Sequence, residues 1–227
     1  KVNGTTATAK DLISLDGKTS VAIQLKVGAI TGNIAEITKV FVDSTTDNFD
    51  DVTGVAATIS GTITAAEAKA IADVTGKVVT ATIAADTAAA LNTALQDTNT
   101  NAYKLTIKGD YTNSANALDL VELVGTTSVT VNAAAIKNID GAGATGAANV
   151  KAAYVANANK DISGLGNETV DLSTAGDANV SLVRAINDYT TGVITLKTLE
   201  TTAGNFSLSQ LGDLKGITGL AKIDADN

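Results

Sequence analysis

The sequence predicts an α/β fold: a right-handed βα solenoid, leucine-rich-repeat-like in its logic, with a parallel sheet and short Ala-rich helices. Three observations predict it. Strand-like runs of Val, Ile and Thr recur at intervals of about 25 residues, the period range of solenoids. Short helical runs rich in Ala and Leu lie between them. A phrase repeats: "DVTGVAATIS" opens at Asp51, "DVTGKVVTATIA" at Asp73 and the looser "DYTTGVITLKT" at Asp188. Strands alternating with short helices over short links imply parallel strands and crossover helices. Units this short place each strand beside the previous one, and a single unit buries too little to stand alone.

The strand-like runs are "SVAIQLKV" from Ser20, "ITKVFV" from Ile37, "VAATIS" from Val55, "VVTATIA" from Val78, "AYKLTIKG" from Ala102 and "SVTVNA" from Ser128. "ETVDLS" from Glu168, "GVITLK" from Gly192 and "LAKID" from Leu220 follow, with "VKAAYV" from Val150 as the strand of a Gly/Ala-rich stretch. Residues 1–50 read as less regular N-terminal units, and 51–227 as repeats of about 22–25 residues in one continuous domain.

Helix starts are marked chemically. In "TAAEAKAIA", Thr64 and Glu67 form a capping box: the hydroxyl accepts from one unpaired N–H and the carboxylate reaches back to another. "DTAAALNTAL" offers Asp86 as N-cap, with Leu91 and Leu95 one turn apart. "NSANALDLVEL" puts Leu118 with Val121, and "NVSLVRAIND" puts Leu182 with Ile186. Helices of two or three turns are unstable alone and need tertiary packing.

Strand alternation assigns the faces. Val79, Ala81 and Ile83 point inward, as do Tyr103, Leu105 and Ile107, then Val129 and Val131, then Val170 and Leu172. Val78, Thr80, Thr82, Lys104, Thr106, Lys108, Ser128, Thr130, Asn132, Thr169 and Asp171 point outward. The open face is therefore rich in Thr, Ser, Lys and Asn. Thr is a good strand former that tolerates water. Lys104, Lys108 and Lys197 interrupt the Thr rows, which argues against a water-ordering, ice-binding ladder.

Composition narrows the function. The chain has no His, Cys, Met, Trp or Pro. That removes the usual zinc ligands, a Ser-His-Asp triad and a Cys nucleophile. Carboxylates, Lys, Tyr and oxygen-ligated metals remain. A net charge of −8 and a single Arg, Arg184, disfavour nucleic acid and bidentate phosphate recognition. Only 3% of residues are aromatic, so the core is Val, Ile, Leu and Ala, which suits close layers better than deep pockets. No apolar run reaches the length of a membrane span, and the opening "KVNGTTATAK" shows no signal peptide, as expected of a mature product or a segment of a longer protein.

The densest oxygen cluster is "VDSTTDNFDDVTG", where Asp43, Asp47, Asn48, Asp50 and Asp51 can supply several ligands to Ca²⁺. It lacks EF-hand spacing, with no Gly at the sixth position and no Glu at the twelfth, and a solvated acidic loop is the simpler account. "GLGNETVDL" from Gly164 has the outline of a Ca²⁺-binding nonapeptide, with Glu168 where Asp is usual and one copy in place of an array. "GAGATG" from Gly141 falls short of a dinucleotide-binding loop and reads as a tight turn.

The phrases "ISGTITAAEAKAIADVTGKVVTATIAADTAAALNTAL" and "NAYKLTIKG" resemble repeat segments of very large secreted bacterial surface proteins, the haemolysin-like and S-layer-type proteins of cyanobacteria. The resemblance is best over residues 51–136. It implies type I secretion, an extracellular or cell-surface location, Ca²⁺ dependence and a structural or adhesive role. It carries over no catalytic residues, and the missing nonapeptide array is a departure. The expectation is a non-enzymatic structural protein that self-assembles as a homo-oligomer or polymer. The alternative is an adhesin binding cell-surface polysaccharide.

Overall fold

The computed structural model describes residues 1–42, 49–96, 100–109, 114–201, 217–218 and 222–225, with side chains described through Lys197. It is a mixed α/β fold with parallel sheets. In chain order the first elements are β1 (Val2–Thr8), α1 (Ala9–Asp16), β2 (Ile23–Asn33), α2 (Ile34–Phe41), β3 (Phe49–Asp50) and β4 (Ala56–Ile63). Then come α3 (Ala65–Thr75), β5 (Val79–Ile83), α4 (Ala88–Ala94), β6 (Ala102–Lys104), β7 (Ser114–Asn116) and α5 (Ala117–Thr126). Next are β8 (Val131–Asn132), β9 (Asn138–Asp140), α6 (Gly146–Ala158), β10 (Ile162–Ser163) and β11 (Thr169–Leu172). The last are α7 (Val180–Asn187), β12 (Ile194–Leu196), β13 (Thr198–Thr201), β14 (Ile217–Thr218) and β15 (Lys222–Ala225). The chain divides into two compact units: Lys1–Ala85 with Thr93–Thr106 and Gly125–Val129, and Asp86–Asn92 with Ile107–Val124 and Thr130–Asn227.

In the first unit the main sheet runs β1-β2-β4-β5-β6, with β3 paired to β2. Every pairing is parallel: Val2 lies beside Leu25, Ala29 beside Ala56, Ala57 beside Val79 and Thr80 beside Ala102. Thus the strands stack in sequence order. Strands pass straight into helices, and capping residues make the switch. Thr8 ends β1 and caps α1, accepting from the Asp11 N–H. Asn33 ends β2 and forms a capping box with Glu36. Thr64 and Glu67 form the box that the sequence predicts for α3. The inner face carries Leu25, Ile30, Ile37, Phe41, Ile59, Ile71, Val79, Ile83 and Tyr103, all buried. Each such aliphatic side chain contributes about 1.5–3 kcal/mol when fully buried.

In the second unit the larger sheet runs β7-β9-β11-β12-β14, again parallel and in sequence order, while β8 pairs with β10. Its core includes Leu120, Leu123, Ile139, Val150, Tyr154, Val170, Leu172, Val183 and Ile194.

Several local expectations are corrected. "ITKVFV" is not a strand. Residues through Phe41 belong to α2, because the Asn33–Glu36 box starts a helix that outweighs the β-branched content. "VKAAYV" lies inside α6, the longest helix described, so the strand of that stretch is β9 instead. Thr87, not Asp86, caps α4: its hydroxyl accepts from the Ala90 N–H, while Asp86 makes a strand bridge with Ile107. On α5 the buried pair is Leu120 and Leu123, and Leu118 is exposed. On α7, Val183 joins Ile186 in the core. The inward positions predicted for Val79, Ala81, Ile83, Tyr103, Leu105, Ile107, Val131, Val170 and Leu172 are all buried. Val129 is exposed instead, because the Thr127 hydroxyl accepts its N–H in a tight turn before β8 begins.

The α3 cap yields a pH prediction. The backbone N–H of Thr64 and then its hydroxyl, both 2.8 Å from Glu67 Oε2, hold the Glu67 carboxyl below its usual value. A depressed pKa stabilises the fold above the unfolded value, and that contribution is lost as pH falls through the folded one. Thr64→Ala should cost about 1 kcal/mol at neutral pH. The deficit should shrink in acid, as read by urea denaturation across pH.

Candidate functional site

The side chains with most chemistry gather in the second unit around Glu168. Alternation along β11 continues backward from Leu172 through Val170 to Glu168, so this carboxylate points inward and is 1% exposed. Its Oε2 accepts the N–H of Gly166 at 2.7 Å, the N–H of Asn167 at 3.2 Å and the Tyr154 hydroxyl at 3.3 Å. Oε1 is buried without a hydrogen-bond partner. The Thr190 hydroxyl donates to the Glu168 carbonyl at 2.8 Å. Tyr154 stacks on Tyr189 with ring centroids 5.9 Å apart. Burial pushes the Tyr154 phenol well above its ordinary value; the Thr190 hydrogen bond opposes this, and the charge of Glu168 adds to it.

Chemically this cluster closes a loop. Gly164 and Gly166 have φ of +91° and +141°, conformations that favour glycine, and they let the main chain fold over its own carboxylate. "GLGNETVDL" therefore aims Glu168 into the protein, where its Oε2 serves the loop's own N–H groups. The signal available in the sequence was the alternation itself, extended two residues upstream of Val170.

A second pattern is a set of buried polar rungs. The Thr75 hydroxyl donates to the Val55 carbonyl, and the Thr127 hydroxyl to that of Tyr103 at 2.7 Å. Between them in sequence, the Asn101 side chain accepts the Val79 N–H at 2.7 Å. In the second unit Thr190 bonds Glu168 in the same manner. Each rung ties the turn of one βα unit to the strand of the unit before it. Two of the repeated phrases carry such a rung, Thr75 in the "DVTG" from Asp73 and Thr190 in "DYTTG", whereas Thr53 in the "DVTG" from Asp51 is exposed.

"GAGATG" leads into α6, and the position that a phosphate takes in nucleotide sites is filled from within. Asp177 Oδ1 accepts the Ala147 N–H at 2.8 Å and Oδ2 the Ala148 N–H at 3.0 Å. Thr145, the local N-cap residue, makes no capping bond; its hydroxyl accepts instead from the Asn149 side chain at 3.3 Å. A carboxylate on the helix N-terminus satisfies free N–H groups and the helix dipole. Asp177→Ala should cost about 1–2 kcal/mol. Asp177→Asn should recover part of it, read from urea midpoints at unchanged denaturant slope.

Of the proposed Ca²⁺ ligands, Asp43, Asp47 and Asn48 lie outside the described residues. Asp50 is exposed in β3, and Asp51, at φ +64°, pairs with Lys26 at 2.9 Å. Among the described residues, no three acidic side chains come together as a metal site, and no helix is long and apolar enough to cross a membrane.

The open face of the first sheet carries an in-register row of Thr8, Thr31, Thr58 and Thr80 on four adjacent strands. Beside it, Thr62 pairs with Thr82 and Thr82 with Lys104.

The chain matches no protein-family model, no curated protein and no solved structure.

Proposed function

We propose that the chain is a non-enzymatic structural protein of the bacterial cell surface or extracellular matrix, built as a right-handed βα solenoid and acting as a self-assembling scaffold. The observation that carries this reading is the strand order. Within each unit's main sheet every strand lies parallel to the next one in sequence, and buried Thr and Asn rungs join consecutive turns. Such a fold spends its polar side chains on its own turns, caps and loops. Glu168, Asp177 and Thr190, the groups with most chemical capacity in the second unit, are all engaged by the protein itself. Right-handed crossovers follow from the general preference of parallel strand–helix–strand units. In this reading Ca²⁺ acts on assembly through the acidic sequence holding Asp43, Asp47, Asn48, Asp50 and Asp51.

A second reading, an adhesin for surface polysaccharide, is favoured by the uncharged threonine row on the open sheet face. A glycan array tests it directly.

Negative-stain microscopy and light scattering with and without Ca²⁺ test the scaffold reading. Sheets or filaments are expected. Dispersed monomers at every concentration and Ca²⁺ level contradict it.

A further inference from the structure

We propose that the exposed ring of Tyr189 is a binding platform for a neutral, equatorially substituted pyranose of a glycan. The site is separate from the threonine row and does not depend on the scaffold reading. Only 3% of the chain is aromatic. Among the described residues Phe41, Phe49, Tyr103 and Tyr154 are buried, and Tyr189 is the one aromatic left exposed, at 40%. The repeated phrase does not call for a ring there. Where the two "DVTG" phrases carry the half-buried Val52 and Val74, the "DYTTG" turn carries Tyr189.

The ring is held in place before any ligand arrives. The Tyr189 N–H donates to the Ile186 carbonyl at 2.9 Å. The next two residues are pinned to the loop before β11. The Thr190 hydroxyl donates to the Glu168 carbonyl at 2.8 Å, and the Thr191 N–H to the Gly166 carbonyl at 3.0 Å. The ring itself stacks on Tyr154 with an interplanar angle of 3°, and the Tyr154 hydroxyl bonds buried Glu168. The cluster around Glu168 thus backs an aromatic ring that it leaves partly open to solvent. A platform ordered in advance spares the complex the entropy of ordering it.

The chemistry around the ring selects the ligand. A pyranose with equatorial substituents turns a flat face of axial C–H groups outward, and an aromatic ring buries such a face favourably. Sugar hydroxyls need acceptors, and Asp188, the preceding residue, is an exposed carboxylate. The net charge of −8 and the single Arg disfavour an anionic sugar. Added salt should therefore leave the affinity for a neutral glycan almost unchanged.

The test is titration of the 227-residue chain with cellohexaose, oligogalacturonate and tetramethylammonium, read by tyrosine fluorescence, which no tryptophan masks, and by NMR of the tyrosine rings. Cellohexaose is expected to bind with a Kd of about 1 mM, the strength of one small contact. Tyr189→Phe should keep that affinity, and Tyr189→Ala should weaken it about tenfold or more. Ring NMR of the wild type gives a reading free of mutation: Tyr189 resonances should move on saturation while those of buried Tyr103 stay. Undiminished binding by a folded Tyr189→Ala chain, with Tyr189 resonances unmoved in the wild type, overturns this site and leaves the threonine row as the glycan surface. No binding of cellohexaose, or tighter binding of oligogalacturonate or tetramethylammonium, overturns the neutral-sugar assignment. None of these outcomes bears on the scaffold reading.

Discussion

Gly192→Ala is expected to cost at least about 3 kcal/mol and to leave the second unit unfolded or close to it under mild denaturant. A Cβ built at residue 192 would lie 1.9 Å from the Glu168 carbonyl oxygen, 2.4 Å from its carbon and 2.9 Å from the Thr169 nitrogen. All three atoms are main chain, so no side-chain rotation relieves the clash. Relief requires moving β11 away from the turn before β12, which breaks the Val170 N–H bond to the Val193 carbonyl at 2.8 Å and the Thr190–Glu168 rung. Gly125→Ala is the control. It lies in α5 with open space around a new Cβ, and it should be neutral or stabilising by up to about 1 kcal/mol. Circular dichroism during urea titration compares the two. A Gly192→Ala chain as stable as wild type would show that the turn does not approach β11 so closely.

Asn101→Ala is expected to cost about 2–4 kcal/mol. Asn101 is fully buried, its Oδ1 accepts the Val79 N–H, its N–H donates to the Thr126 carbonyl and its C=O accepts from Ser128. The main-chain bonds survive truncation, but the N–H that opens β5 loses its acceptor in a place water does not reach. A buried donor left unpaired costs about 1–3 kcal/mol, and the space vacated by the amide adds to that. Asn101→Thr should recover part of the loss, since threonine fills the corresponding rungs at positions 75 and 127. Equilibrium denaturation decides. A loss below about 0.5 kcal/mol for the alanine variant would mean that the rung is ornamental.

Much of this architecture was legible because the signals were local. The Thr64–Glu67 box lies within one helical turn, and the alternation of "VVTATIA" and "AYKLTIKG" needs only the pleat of a strand. What escaped the sequence was decided at longer range or by competition. "ITKVF" has the composition of a strand, yet it follows Asn33 and Glu36, and the cap sets its state. α6 begins without a bonded local cap, because its capping carboxylate, Asp177, comes from far along the chain. Val129 turns outward because Thr127 spends its hydroxyl on the turn, which delays the strand to Val131. At the site, the sequence drew attention to the glycines around Glu168 but not to the direction of its side chain. That direction depends on Tyr154, fourteen positions upstream, and on burial that composition does not report.

Side-by-side stacking of consecutive units can be measured directly, because the chain has no cysteine of its own. Thr31, Thr58 and Thr80 occupy one row on three successive parallel strands. Neighbouring strands are about 4.8 Å apart, within the Cα range a disulfide spans, whereas strands two apart are not. Mild oxidation should close the cysteine pairs Thr31→Cys/Thr58→Cys and Thr58→Cys/Thr80→Cys quickly and leave Thr31→Cys/Thr80→Cys open within the monomer. Ready closure of the 31–80 pair, or failure of both neighbouring pairs in folded protein, would contradict the stacked order on which the account rests.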